Sequence, residues 1–310
     1  MRECVLGIDT SNYTTSAALV DVKSGELVRS VKKLLPVKAG ELGLRQSDAV
    51  FHHTVQLPEI LTELFDKACD IKAVGVSTKP TDEEGSYMPC FLAGYCSAKS
   101  ICEATGVPLF ETTHQVGHIL SALGSAGKMS LTDGDFLVFH ISGGTTQLLH
   151  CKCSERRIQT SVVAQSLDLK AGQGIDRIGR MLGLKFPAGP ELDALARNSK
   201  RNFGKNPALK GGNCCLSGME NISQKMLADG YDKCDIAKFA IDYIGNAIEK
   251  MLAAAVEEFG QIPVVYTGGV MSNSILRRRF AQSGACFARD GFSSDNAYGV
   301  ALWAKLNYNG

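Results

Sequence analysis

The chain has 310 residues, of which 45% are hydrophobic and 21% charged, the composition of an ordinary globular protein. That length exceeds what one compact core usually holds, so two lobes are expected. Lysine and arginine number 33 against 32 aspartate and glutamate, a formal net charge of +1. This excludes a global field drawing nucleic acid to the whole surface, and no apolar run approaches the roughly 20 residues of a membrane span.

The chain opens without a charged n-region and apolar h-region, and it carries 11 cysteines, an odd number. Reduced thiols in a cytoplasmic protein are therefore expected rather than a disulfide framework. Cys151-Lys152-Cys153 and Cys214-Cys215 lack the two-residue spacer of a structural zinc knuckle.

Residues 4–10 predict a buried strand ending in Asp9 and Thr10, followed by the polar turn from Ser11 to Thr15 and a return strand from Ser16 to Val22. Leu27 to Lys32 can add a third strand. Asp9 and Ser11 suit a site for metal or phosphate; the alternative is a plain meander with a solvated acid. After a mixed-charge loop, Asp48 can cap a helix from Ala49 to Ala68, with an interruption near Pro58. His52 and His53 are expected on its surface. Ala73 to Thr78 is a short buried strand, Lys79 to Met88 an acidic loop, Pro89 to Thr105 a helix and Val107 to Thr113 a strand delivering His114.

His114 and His118 stand one turn apart on the helix that begins there, the spacing with which two imidazoles hold one divalent ion. Two surface or capping histidines would have the same spacing. Gln115 takes the place of the glutamate in the His-Glu-x-x-His motif of zinc proteases. Residues 124–134 are read as a flexible link between the lobes.

The second lobe opens with Phe136 to Ile141, then Ser142-Gly143-Gly144-Thr145-Thr146, then another apolar run. Such a turn can hold an anion in a nest of amides, or be an ordinary Gly-Gly hairpin. A meander continues to Val163. A Gly-broken turn then enters a helix with Ile175, Ile178, Met181 and Leu182 at helical spacing, and Pro187-Ala188-Gly189-Pro190 leads into a helix carrying Asp193. Arg197, Lys200, Arg201, Lys205 and Lys210 form a basic run without an acid, either a solvated loop or a polyanion contact. A short strand at Cys214 enters a helix, and Tyr231 to Phe259 is one long helix or two. Pro263 to Thr267 is a parallel-type strand before Gly268-Gly269, with Asn273 placed to bond a sugar or base. Asp295 stands at the start of the last helix, where the dipole favours a carboxylate.

Two strand–turn–strand units with hydroxyl-rich turns, each followed by helices, imply an internal duplication of the actin/Hsp70/sugar-kinase (ASKHA) kind, an α/β fold. The residues also resemble the TsaD family, the tRNA N6-adenosine threonylcarbamoyltransferases formerly labelled O-sialoglycoprotein endopeptidases or glycoproteases. The resemblance is carried by His114-x-x-x-His118, Ser142-Gly143-Gly144-Thr145-Thr146-Gln147, Ala171-Gly172-x-x-Ile175-Asp176, Pro187-x-Gly189-Pro190-x-x-Asp193, Ser217-Gly218, Gly268-Gly269-Val270-x-x-Asn273-x-x-Leu276-Arg277 and Asp295-Asn296.

The resemblance implies two duplicated lobes with mixed five-stranded sheets and a cleft between them. Residues 1–134, completed by residues 292–310, would form the N-terminal lobe and residues 135–291 the C-terminal lobe. It implies iron or zinc on His114, His118 and Asp295, with His140 as a further ligand or a packed strand histidine. It implies an adenine nucleotide (threonylcarbamoyl-AMP, AMP or ATP) held by Ile141, Ser142, Gly143, Gly144, Thr145, Asp176, Gly189, Asp193, Gly268, Gly269 and Asn273. No protein nucleophile is implied. The implied partners are tRNA and either TsaB-like and TsaE-like subunits or a second copy through the N-terminal lobe, with no membrane.

The chain departs from the family pattern at Gln173, Thr145, Glu220 and residues 81–87. A divergent paralogue that binds nucleotide and metal as a scaffold or regulator is therefore a second expectation. Peptidase activity is disfavoured by Gln115.

Overall fold

A computed structural model of the protein describes residues 1–11, 13–36, 44–65, 69–155, 157–281, 285–289, 291–292 and 296–308. The chain divides into two compact units: Met1–Asp133 with Cys153–Thr160 and Gly291–Gly310, and Gly134–Lys152 with Ser161–Asp290.

The first unit is built from β1 (Arg2–Ser11), β2 (Thr14–Asp21), β3 (Leu27–Leu34), α1 (Gln46–Leu64), β4 (Cys69–Lys79), α2 (Phe91–Thr105), β5 (Leu109–Thr113) and α3 (His114–Ala126). The second sheet and its helices comprise β6 (Phe136–Ile141), β7 (Thr146–Ser154), β8 (Arg157–Gln165), α4 (Ala171–Met181), α5 (Gly189–Ala196), the small hairpin β9 (Ala208–Lys210) and β10 (Asn213–Cys215), α6 (Gly218–Ala228), α7 (Lys233–Phe259), β11 (Val264–Thr267), α8 (Ser274–Ala281) and β12 (Cys286–Phe287). The last helix, α9 (Asn296–Asn307), belongs to the first unit.

The strand orders are β3-β2-β1-β4-β5 and β12-β11-β6-β7-β8. Read from its first strand, each sheet therefore has the same plan. That strand pairs antiparallel with the next in sequence (β1 with β2, β6 with β7) and parallel with a later one (β4, β11), which pairs parallel with the last (β5, β12). The duplication expected from the two hydroxyl-rich hairpins is thus present in the strand order. Parallel strands need crossover helices, and their carboxyl ends gather on one edge, where α/β sheets place their ligand loops. Asp9, Ser77 and Thr113 lie at or near that edge of the first sheet, Ile141 and Thr267 at that of the second.

β1 is buried on both faces, as expected of a central strand covered by helices. Cys4, Leu6 and Ile8 share a core with Leu57 and Ile60 of α1 and Ala98 and Cys102 of α2. In the second unit Leu137, Phe139 and Ile141 pack with Ile175 and Ile178 of α4 and Ile241 and Ile244 of α7. Tyr266 stacks on Phe139 with ring centroids 5.3 Å apart and an interplanar angle of 8°.

Several local expectations are corrected. Helix α1 begins at Gln46, so Asp48 sits in its first turn instead of capping it. It runs through Pro58 to Leu64 because the buried Leu57, Ile60 and Leu64 hold both sides of the proline to the core; the expected end, residues 66–68, lies outside the described residues. The link read at residues 124–134 is instead the end of α3 and a 3-10 turn, Met129–Asp133. Helix α7 is one element.

His53 is fully buried, not on the helix surface. Thr15 Oγ1 lies 2.8 Å from His53 Nδ1 and donates to Gln56 Oε1 at 2.8 Å. The hydroxyl proton is thereby used, so Nδ1 is the donor to Thr15, and Nε2 is buried without a hydrogen-bond partner. Burial pushes the imidazole pKa down to about 4, against a smaller opposing pull from Asp9. An unfolded histidine titrates near 6.5, so the unfolded chain binds the extra proton first. This contribution to stability is fully present above about pH 6.5 and is lost as pH falls through about 4, up to about 3 kcal/mol. In urea unfolding between those values, His53→Gln is expected to show a shallower loss of stability on acidification than the parent. Equal slopes would refute the assignment.

Candidate functional site

In the first unit the site residues converge on Asp9, which has no exposure to solvent. Ser11 Oγ donates to its Oδ2 at 2.7 Å, Ser77 Oγ from the end of β4 donates to Oδ1, and His114 Nδ1 lies 3.1 Å from Oδ1. Burial pushes this carboxyl up. The charge and hydrogen bond of His114, with the two serine hydroxyls, outweigh it and hold the group well below the usual carboxylate range. The solvated-acid alternative is therefore excluded.

Thr113 Oγ1 accepts from Val116 N at 3.1 Å and caps α3, which fixes the direction in which His114 leaves the strand. With Nδ1 turned to the carboxylate, Nε2 is the ring nitrogen left to meet a ligand, the orientation a metal-binding histidine receives from a carboxylate partner. The His118 ring lies next to it, centroids 4.6 Å apart at 73°. Asn296 Nδ2 is 3.5 Å from His114 Nε2, and its Oδ1 is buried without a hydrogen-bond partner. Two imidazoles, one oriented by a buried carboxylate, beside an orphaned amide oxygen fit a divalent cation. Among the described residues no three His, Cys, Asp or Glu side chains gather as a metal set. Asp295, the expected third ligand, lies outside the described residues. His140 sits on β6 in the second unit, in register with Gln147 and Thr267. None of the cysteines forms a disulfide.

In the second unit, backbone does most of the work. Ser142 N donates to Thr145 O at 2.8 Å and Thr145 N to Ser142 Oγ at 3.1 Å, closing the turn from Ile141 to Thr145. Thr146 Oγ1 accepts from Ala171 N at 2.9 Å and Ser142 O from Gly172 N at 3.2 Å, so α4 starts against this turn. A Cβ on Gly172 would overlap the backbone of Gly143. Gly268 has φ +95°, and a Cβ there would overlap the Ile141 carbonyl oxygen. Gly143, Gly144, Gly189 and Gly269 face open space. Gly268 thus packs tightly and leaves the next residue, Gly269, exposed, as Gly143 and Gly144 are in the turn.

Asp176 Oδ1 accepts from Ala188 N at 2.9 Å and holds the loop before Gly189. Asp193 Oδ1 accepts from Ser274 N at 3.2 Å and Ser274 Oγ at 3.0 Å. Asn273, expected to meet a sugar or base, spends its Oδ1 on Ile275 N and Leu276 N at 3.0 and 3.1 Å, capping α8. Its residue type is explained by that cap.

Sequence reading missed Ser77 as a participant, and it gave Thr146 and Asn296 no role beyond the motifs that contain them. For Ser77 a signal existed: it is the first hydroxyl after the apolar Ala73-Val74-Gly75-Val76.

A family model described as TsaD, tRNA N6-adenosine threonylcarbamoyltransferase, matches residues 24–302. The chain belongs to the TsaD family. It is 28% identical over 291 residues to the tRNA N6-adenosine threonylcarbamoyltransferase of Aromatoleum aromaticum, covering 90% of this chain and 82% of the relative. It is 26% identical to the enzyme of that name from Buchnera aphidicola, covering 98% and 92%. It is 24% identical to a probable bifunctional tRNA threonylcarbamoyladenosine biosynthesis protein of Thermoplasma volcanium, covering 95% of this chain and 53% of that protein.

Among solved structures it resembles component A of the (R)-2-hydroxyglutaryl-CoA dehydratase of Acidaminococcus fermentans (TM-score 0.56, 16% identity, 98% of both chains). It also resembles a ROK-family glucokinase of Streptomyces griseus (TM-score 0.52, 12% identity, 97% of this chain and 99% of that one). These likenesses establish the α/β fold of the actin and sugar-kinase type.

The departures from the TsaD pattern have distinct settings. Gln173 is exposed in the first turn of α4. Thr145 is half-buried in the turn it helps close, and Glu220 pairs with Arg177 at 2.9 Å on the surface. Among the described residues no helix is long and apolar enough to cross a membrane.

The two adjacent glycines of the TsaD-type Gly268-Gly269 pair separate experimentally. Gly268→Ala is expected to cost about 2–4 kcal/mol, from a strained backbone and a forced shift of Ile141. Gly269→Ala is expected to cost less than about 1 kcal/mol. Chemical denaturation of the two variants checks this; equal costs would overturn the packing described for Gly268.

Proposed function

We propose that the protein transfers a threonylcarbamoyl group from threonylcarbamoyl-AMP to N6 of a tRNA adenosine in the cytoplasm. The observation that carries the reading is the Asp9–His114 pair beside His118, in a chain whose second unit exposes glycines at Gly143, Gly144 and Gly269.

The second unit receives the adenylate. Its Ser142–Thr145 amides hold the phosphate, and Asp176, Gly189, Asp193, Gly268 and Asn273 shape the loops around the nucleoside. In the first unit His114 and His118, with Asp295, hold iron or zinc, and Asp9 with Ser11 fixes the His114 ring. When bound, the ion would supply a Lewis acid for the carbamoyl carbonyl. The adenine amine nitrogen attacks the carbamoyl carbon, the bond from that carbon to the phosphate oxygen breaks, and AMP leaves as the anion with the amine proton passing to solvent. The donor is a mixed anhydride and already activated, so the chain's groups position reactants and stabilise charge without supplying a nucleophile.

Exposed Phe51 and Val55 on α1 support a partner on the first unit, either TsaB-like with TsaE-like subunits or a second copy. The Glu220–Arg177 pair favours a second reading, a paralogue that keeps nucleotide and metal but no longer modifies tRNA.

Purified protein, given threonylcarbamoyl-AMP, unmodified tRNA and partner subunits, is expected to yield the modified nucleoside by mass spectrometry of digested tRNA. Bound nucleotide without product would select the second reading. His114→Ala and His118→Ala are each expected to lose most bound metal in elemental analysis, and Asp9→Asn to weaken metal affinity about 10- to 100-fold. Full metal content in both histidine variants would remove the ligand assignment.

A further inference from the structure

The basic run after α5 has exposed side chains on a held backbone. It is tied to one face of α7, whose residues Asp235, Phe239, Asp242 and Asn246 recur at helical spacing and are all more than nine-tenths buried. Ser199 Oγ donates to Asp235 Oδ1 at 2.6 Å, and Phe203 N to Asp242 Oδ2 at 3.0 Å. Asn246 Nδ2 donates to the carbonyls of Phe203 and Lys205 at 3.3 and 2.9 Å. The Phe203 ring meets Phe239 edge-on at 5.7 Å. Arg201 pairs with Asp235 at 3.2 Å, so buried polar groups hold the loop's backbone and one of its cations, and leave Lys200 and Lys205 exposed.

The loop walls a cavity of about 670 Å³ with α5, α7 and α8, lined among others by Arg197, Asn202, Lys238, Arg278 and Arg279. Its inner charges are compensated. Lys238 Nζ is 2.6 Å from both Asp242 oxygens, and Arg279 pairs with Glu249 at 2.5 Å and with Asn246 Oδ1 at 2.7 Å. Its rim is less compensated: Arg197 reaches only Asp193, at 3.9 Å, with its side chain 55% exposed, and Arg278 is exposed with no ion-pair partner among the described residues. Lys200 and Lys205 extend the exposed charge along the loop. A neutral floor under a cationic rim attracts an anion.

We propose that this cavity seats backbone phosphates of an RNA strand, a contact apart from the glycine loops. The proposal rests on the reading that tRNA is the acceptor. It explains how a chain of net charge +1 engages a polyanion: the charge is local and carried on a backbone already held in place, so little loop ordering is left for the moment of binding.

The test is binding of a labelled, unmodified tRNA transcript by fluorescence anisotropy from about 50 to about 300 mM KCl. Arg197→Gln/Arg278→Gln is expected to bind about ten-fold more weakly than the parent and to lower the slope of log affinity against log salt by about 2. Arg278→Gln alone, at a side chain with no partner to lose, is expected to lower it by about 1. Unchanged affinity and slope in both variants would overturn the proposal, as would photo-crosslinks from the transcript that avoid residues 197–205 and α8. Product formation is scored separately. A parent that modifies tRNA while the variants bind normally keeps the proposed function and sinks the cavity. A parent that binds tRNA through these arginines but forms no product keeps the cavity and sinks the function.

Discussion

A carboxylate with no access to water is the constraint on which the first unit depends. Burying Asp9 as an anion costs several kcal/mol unless donors replace the lost water. The donors come from three places: Ser11 two residues on, Ser77 on the neighbouring parallel strand and His114 at the head of α3. β1, β4 and the β5–α3 junction must therefore meet at one point. The same requirement fixes the His114 ring, because the nitrogen that serves Asp9 determines which one is left over. Removing any one donor would leave part of a buried charge unanswered, which makes this small cluster both a structural tie and a positioning device.

The second unit solves a different problem with different means. Its candidate loops hold few free side chains; Asp176, Asp193 and Asn273 are each spent on backbone N–H groups of neighbouring elements. What is left exposed includes the glycines Gly143, Gly144 and Gly269. This suits a ligand whose charge lies on phosphate oxygens, since amides supply donors with no side-chain entropy to lose. Gly268 packs against Ile141 and Gly172 against Gly143, and these contacts set the spacing of the loops. A TsaD-family transfer from an activated anhydride asks for this division between oriented imidazoles and fixed amides more than for a reactive side chain.

Two of the departures from the family pattern are surface events by comparison. Glu220 has found a partner in Arg177, and Gln173 points to solvent. Neither disturbs the contacts that shape the loops or the Asp9 cluster. The cationic loop from Arg197 to Lys205 shows the converse. Its charges are plain in the sequence, but its order comes from polar residues on α7 that lie 36 to 43 positions away.

The sequence by itself determined the elements and the family. Continuous apolar runs and period-3.6 spacing are written locally, so β1, β6, α3 and α4 were legible, as were the His114/His118 spacing and the Ser-Gly-Gly turn. It did not determine which polar residue serves which purpose. His53 carries no local mark distinguishing it from His52, yet only one faces the sheet; Asn273 looks like a ligand group and is a helix cap; Ser77 and His114 reach Asp9 across 68 and 105 residues of chain. Those assignments depend on strand order and on which faces become buried, and both are settled only when the sheets assemble, because an unpaired polar group takes its role from the neighbour that replaces its water.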